Sequence, residues 1–163
     1  MPRFAATAVM TSLLLLAACG EPNPDEAKRR LASKNVPVSE EALMAKTKEA
    51  AGEEAARLLV QAGVDPNARQ ANGMTALMSA AFNGQRNVAE ALIKRGADVN
   101  ATAAGFTALR LAVERGDKAM VRLLLDHGAK ADLKPDGAPS ALEKAQQGRD
   151  SEILGMLQKV AGS

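Results

Sequence analysis

The sequence predicts an all-α fold, a solenoid of stacked helical hairpins. Three observations predict it. Glycine-led segments recur at a fixed interval: Gly63 to Gly96 is 33 residues and Gly96 to Gly128 is 32, the period of an array of stacked units. Within each interval, apolar residues return at helical spacing. The 163-residue chain also has no Trp or Tyr and only three Phe. Its core must be filled with Ala, Leu, Val, Ile and Met, which suits closely packed short helices and argues against a β-sandwich, where aromatic and β-branched residues dominate.

The first element is not part of that core. Arg3 and the amino terminus make a short positive start, and Phe4 to Ala18 is an apolar run broken only by Thr7, Thr11 and Ser12. As a helix those residues would rise about 22 Å, short of a bilayer core about 30 Å thick, which takes roughly 20 residues to span. The run instead has the length of the apolar region of an export signal, with small residues before the cut. Leu16-Ala17-Ala18-Cys19 ends it, and Cys19 is the only cysteine. This stretch resembles a bacterial lipobox. The resemblance implies that the Cys19 thiol takes a diacylglyceryl group, that residues 1–18 are then removed, and that the new N-terminus is acylated. Gly20 stands where inner-membrane lipoproteins of many Gram-negative bacteria carry Asp. The resemblance therefore points to the outer membrane, facing the periplasm, with the inner membrane as the alternative. An uncleaved apolar N-terminal helix with an incidental cysteine is the competing reading.

Removing the first 18 of 163 residues leaves 145, one domain of ordinary size. Loss of Arg3 from 21 basic residues leaves 20 against 19 acidic ones. So balanced a charge gives no argument for nucleic acid. A lipidated Cys19 leaves no thiol for a disulfide or a metal site.

Residues 19–38 hold the lipidated cysteine, a tether and a possible leading helix. Gly20 to Pro24, with two prolines, a glycine and an acid, reads as the tether. Residues 25–34 can form the helix, because Ala27 and Leu31 stand four apart.

Residues 39–163 are the repeat domain, of about four units. Gly73-Met74-Thr75-Ala76-Leu77-Met78-Ser79-Ala80 is matched by Gly105-Phe106-Thr107-Ala108-Leu109-Arg110-Leu111-Ala112. Gly96-Ala97-Asp98-Val99-Asn100-Ala101 is matched by Gly63-Val64-Asp65-Pro66-Asn67-Ala68 and by Gly128-Ala129-Lys130-Ala131-Asp132-Leu133. Thr75, Thr107, Ser39 and Ser140 stand where a helix N-cap is wanted, their hydroxyls able to accept orphan backbone N–H groups. Leu77, Ala80 and Ala81 line one side of a short first helix, which Gly84 ends in the left-handed geometry glycine tolerates. Val88, Ala89, Leu92 and Ile93 make the buried stripe of a second helix, repeated by Met120, Val121, Leu124 and Leu125 after Gly116. Gly96 and Gly128 close the second helices. The outer units are degenerate: Ala42-Leu43-Met44 and Leu58-Leu59 mark the first, and Ser140-Ala141-Leu142, Ile153 and Met156-Leu157 the last. One unit cannot bury its apolar face alone, so about three or more must stack. The wet side of the last is supplied by residues such as Lys144, Gln146, Gln147 and Lys159.

These repeats resemble the ankyrin repeat from about Ser39 to the C-terminus. The resemblance implies an ankyrin-repeat solenoid of helix-turn-helix units with extended β-turn loops. Its usual Thr-Pro-Leu-His is here Thr-Ala-Leu-Met, Thr-Ala-Leu-Arg and Ser-Ala-Leu-Glu, so the histidine that ties neighbouring loops is absent. Lys130 and Asp132 replace the usual loop aspartate and asparagine. The loops are therefore expected to be less rigid, the last most of all.

The residues offer little chemistry. His127, the only histidine, falls at a helix end, where a cation meets the dipole favourably. A metal site would need further His or Cys ligands. Glu40, Glu41, Glu49, Glu53 and Glu54 are expected in helix first turns, where acids favour the dipole, rather than as a catalytic pair, which needs one carboxyl raised by a buried cleft. No cofactor, metal or small-molecule substrate is expected. In ankyrin proteins the loop tips and first helices form the binding face. Carried onto this chain, the resemblance nominates Arg69, Gln70, Asn72 and Met74 in the first loop, Thr102 and Phe106 in the second, and Lys134, Pro135 and Asp136 in the third. From the helices it nominates Met78, Ser79, Phe82, Asn83, Arg110, Glu114 and Arg115. Phe82 and Phe106 stand out because aromatic anchors dominate interface energies, although each can instead be packing between repeats. The expected role is that of a lipid-anchored, monomeric binder of another protein, a scaffold or envelope stress-protection partner. The alternative is an immunity-type inhibitor of a toxic periplasmic enzyme. A hydrolase is the third class, and it would require a buried acid or His127 in a pocket.

Overall fold

The computed structural model describes residues 22–49, 51–148 and 150–162. Cys19 and the apolar run before it lie outside these residues. The described chain is helical throughout, with only two isolated antiparallel bridges, Arg69 with Thr75 and Ala103 with Phe106.

A leading helix α1 (Pro24–Ser33) starts on Asn23, whose side chain accepts the Glu26 N–H at 2.8 Å, and Pro24 stands in its first turn. Asn23 and Pro24 therefore belong to the helix start rather than to a tether, because proline's fixed φ and missing donor suit a first turn. Ala27 and Leu31 are fully buried. Four hairpins follow: α2 (Glu40–Lys48) with α3 (Glu53–Gln61), α4 (Ala76–Asn83) with α5 (Arg86–Lys94), α6 (Ala108–Arg115) with α7 (Lys118–Asp126), and α8 (Ala141–Gln147) with α9 (Ser151–Ala161). The first helices α2, α4, α6 and α8 pack side by side as one layer, and α1, α3, α5, α7 and α9 form the other.

Local signals set the ends of these helices. Ser39, Thr75, Thr107 and Ser140 each accept the backbone N–H three residues on, at 3.1 to 3.3 Å. At Ser140 the Glu143 carboxylate returns the bond to the Ser140 N–H, completing a capping box. Gly84 and Gly116 end α4 and α6 in the left-handed conformation, at φ 71° and 73°. Glu40 and Glu41 begin α2, and Glu53 and Glu54 begin α3. Glu49 departs from the expectation: it is the C-cap of α2, where it pairs with Lys46 at 2.7 Å. No glycine stands there to end α2 in a left-handed turn, so the chain leaves the helix through the extended Glu49.

The core runs unbroken from Leu31 and Leu43 through Leu58, Leu59, Leu77, Leu92, Leu109, Met120 and Leu124 to Ile153 and Leu157, all essentially inaccessible. Hydrogen bonds recur one repeat apart and hold the layers in step. Asn83 donates to the Thr47 carbonyl at 2.8 Å and Gln85 to that of Glu49 at 2.9 Å. Arg115 donates to the Phe82 carbonyl at 3.1 Å.

The loops are braced by side chains other than the missing histidine. Asn67 donates to the Gly96 carbonyl at 3.1 Å and accepts the Asp98 N–H at 2.8 Å. One repeat on, Asn100 donates to the Gly128 carbonyl at 3.0 Å and accepts the Lys130 N–H at 2.8 Å. Arg69 adds a bond across to the Thr102 carbonyl at 3.1 Å. The series stops at Asp132, which has no amide to donate.

Candidate functional site

The loop tips are built by paired turns. Gln70 and Met74 close the first, the Gln70 N–H donating to the Met74 carbonyl at 2.9 Å while Asn72 Oδ1 accepts the Met74 N–H at 3.1 Å. In the second, Ala103 and Phe106 exchange both backbone bonds, at 2.8 and 3.1 Å, around Ala104 and Gly105. Both of those residues have positive φ, 49° and 79°, the geometry of a two-residue hairpin turn. Each turn delivers one apolar side chain, Met74 or Phe106, just before the threonine cap of the next first helix.

Between these tips and the first-helix layer lies a cleft of about 550 Å³, lined by Gln70, Asn72, Met74, Ser79, Phe82, Asn83, Phe106, Leu111, Glu114 and Lys48. Phe82, in the last turn of α4, is 58% exposed. The Arg110 guanidinium lies 4.6 Å from the centre of the Phe106 ring, close enough for a cation–π contact. It donates in turn to the Gly105 carbonyl at 2.6 Å and to Glu114 at 3.1 Å. Gln70 donates to the Ser79 hydroxyl at 3.1 Å, and Asn83 donates to the Ser79 carbonyl at 2.9 Å, so the polar wall is held by its own bonds.

Eight of the nominated residues therefore meet on one cleft: Gln70, Asn72, Met74, Ser79, Phe82, Asn83, Phe106 and Glu114. Met78 does not. It is fully buried, because the third residue after the N-cap turns into the helix layer, where a thioether packs and cannot reach a partner. Arg110, at the same position one repeat on, has a side chain only 13% exposed and acts from behind Phe106. Arg69 and Thr102 brace the loops to each other. Arg115 faces a separate polar depression near Lys144 and Asp150. Lys134 pairs with Glu143 at 2.5 Å, and Asp136 accepts the Gly105 N–H at 3.3 Å, so the third loop supports the second from outside the cleft. Two lining residues were not anticipated. Leu111 sits four residues after its N-cap, as Ser79 does, and that register could have identified it. Lys48 is the last residue of α2, at its irregular end, where the repeat spacing gives no guide.

The titratable groups that depart from their ordinary values lie outside this cleft. A hydrogen bond from Lys34 holds the Glu54 carboxyl low, one from Lys94 does so for Glu90, and one from Lys134 for Glu143. The Ile153 N–H lowers Asp150. These four carboxyls are all lowered, the opposite of a carboxyl prepared as a general acid, and the hydrogen bond to Glu152 raises Lys118. His127 caps α7 and donates from Nδ1 to the Leu123 carbonyl at 2.9 Å. Among the described residues no group of three or more His, Cys, Asp or Glu side chains converges as a metal site would.

Comparison with known proteins agrees with this architecture. A family model described as ankyrin repeats, in three copies, matches residues 12–103 and 43–135. An ankyrin repeat-containing protein of Treponema pallidum is 41% identical over 88 residues, which are 53% of this chain and 30% of that protein. Ankyrin repeat and KH domain-containing proteins of Caenorhabditis briggsae and Drosophila melanogaster are 35% and 36% identical over 58% and 50% of the chain, but over 4% and 2% of their own lengths. The chain thus spans less than a third of the length of these relatives.

Proposed function

Because the chain belongs to the ankyrin-repeat family, we propose that it is a lipid-anchored binder of another protein in the bacterial envelope, using the cleft around Phe82 and Phe106. Ankyrin repeats mediate protein–protein interaction and are typically non-enzymatic scaffolds. The observation that carries the assignment to this cleft is Phe82: a large aromatic ring 58% exposed, facing a recess that Met74, Phe106 and Leu111 also line. Folding gains little from leaving such a ring in water, whereas a partner that covers it recovers the apolar area. Clustered aromatic side chains at the centre of a recess are the usual anchors of an interface.

The anchor is supported by Leu16-Ala17-Ala18-Cys19 after a short basic start and an apolar run. An acylated Cys19 would hold the domain close to a membrane surface, the outer membrane on the Gly20 criterion. Acyl chains supply about 0.8 kcal/mol for each buried CH2, so several of them anchor stably. The role that fits is an interaction scaffold or stress-protection partner for an envelope protein.

Two experiments test this. Radiolabelled palmitate should enter the wild-type chain and not Cys19→Ser, and the variant should leave the membrane fraction. A chain that stays in the membrane without Cys19 refutes the anchor. Lipidated protein purified from envelopes should co-purify a partner that Phe106→Ala loses while keeping its thermal midpoint. Equal capture by the variant refutes the site. Capture of a toxic hydrolase, with loss of its activity on binding, would assign the chain to the inhibitor role instead.

A further inference from the structure

We propose that the cleft takes an extended segment of the partner that carries a bulky apolar side chain with a carboxylate adjacent to it. This rests on the cleft being the partner site and adds what the partner must present there. The apolar requirement comes from Met74, Phe82, Phe106 and Leu111, which reach the recess from two turns and two helices. Its volume of about 550 Å³ falls within the range of sites that enclose a compact ligand. Phe106 is fixed by the Arg110 guanidinium, itself held by Gly105 and Glu114, while Met74 offers an adaptable wall.

The carboxylate requirement comes from the balance of charge. Two titratable residues line the cleft, Glu114 and Lys48. Glu114 is already matched by Arg110 at 3.1 Å and by Lys144 at 3.9 Å. Lys48 is exposed at the end of α2 and has no ion pair or hydrogen bond among the described residues. The uncompensated charge of the recess is therefore positive and lies at its α2 side. An anion beside the apolar anchor complements it, and a cation there is repelled. Asn72 spends Oδ1 on the Met74 N–H, which leaves its amide N–H groups for a carbonyl of an extended backbone. An exposed pair of this kind contributes little affinity. It selects among partners, while the apolar anchor supplies the binding.

The test is a phage-displayed library of random peptides, panned on the full chain held in detergent and, in parallel, on Lys48→Glu and Phe106→Ala. Wild type should enrich sequences with a large apolar residue next to Asp or Glu, and Lys48→Glu should exchange the acid for Lys or Arg. A synthetic peptide of the wild-type consensus should lose about threefold in affinity on Lys48→Glu and about tenfold or more on Phe106→Ala. Each variant must keep the wild-type thermal midpoint, as expected for an exposed Lys48 that bonds to none of the described residues. Enriched sequences without acids, or an acid preference that survives Lys48→Glu, overturn the proposal. A wild-type dimer that Phe82→Ala converts to monomer also overturns it, by giving the cleft to a second copy. If Phe106→Ala abolishes partner capture while panning shows no acid preference, the charge inference fails alone; if capture is indifferent to Phe106, the reading of the cleft fails with it.

Discussion

Replacing Asn100 with Ala removes two bonds that cross from one repeat to the next, the donation to the Gly128 carbonyl at 3.0 Å and the acceptance of the Lys130 N–H at 2.8 Å. A net hydrogen bond is worth about 0.5–1.5 kcal/mol. Both groups sit in an exposed loop, so water replaces the lost partner and no buried orphan remains. The expected loss is about 1–2 kcal/mol, or a fall of roughly 4–8 °C in thermal midpoint for a domain of this size. The next repeat supplies the control. Asp132 occupies the same register and its side chain makes no hydrogen bond among the described residues, so Asp132→Ala should stay within about 0.5 kcal/mol of wild type. Urea unfolding followed by circular dichroism reads both variants. Asn100→Ala should lower the midpoint concentration without changing the slope. A loss below about 0.3 kcal/mol, or an equal loss from Asp132→Ala, would refute the idea that asparagines couple the repeats.

Three further predictions follow from the same structure. A Cβ on Gly52 would lie 2.1 Å from the Lys46 carbonyl oxygen, and neither backbone can yield, so Gly52→Ala should cost about 2–3 kcal/mol. Gly63→Ala, with φ 97° but open space around it, should cost only the roughly 1–2 kcal/mol of a left-handed side chain; urea midpoints in the reverse order would contradict this. Gln61 is 2% exposed, and neither of its amide atoms has a hydrogen-bond partner among the described residues. Gln61→Met should therefore raise stability by about 1 kcal/mol, and a comparable loss would show that the amide is satisfied. Glu54, Glu143 and Asp150 have folded-state values held below the usual 4.5 and 3.8. The unfolded chain then binds protons first as the pH falls, so their stabilisation is complete above those values and is lost on descent through the lower folded ones. Stability should be level near neutrality and decline below about pH 4.5, less steeply in Asp150→Asn. A wild-type profile flat through that region would disprove it.

Much of the fold was legible because its signals are local. A threonine or serine before an apolar stripe has one use at a helix start, and Gly84 or Gly116 after the stripe has one use at its end. Ala27 and Leu31 announced α1 from their spacing alone. The cleft was legible in part: Met74 and Phe106 share a register, and Phe82 lies seven residues after its cap. Met78 was misplaced because the direction of a side chain within a helix layer depends on both neighbouring helices, which no single repeat contains. The asparagine bridges join residues 28 to 31 apart. Their trace in the sequence is the repeated Asp65-Pro66-Asn67 and Asp98-Val99-Asn100, legible only once the repeat is known to stack. Glu49 and Lys48 lay where the first repeat departs from the period, so the register carried no information there.

A photo-crosslinking residue at position 82, compared with one at the exposed position 122 on α7, asks most directly whether the first-helix cleft is where a partner sits. Irradiation of intact cells should join position 82 to one envelope protein and leave position 122 unlinked. Crosslinks from position 122 alone, or none from position 82 while the partner still co-purifies, would place binding on the other layer and contradict the account.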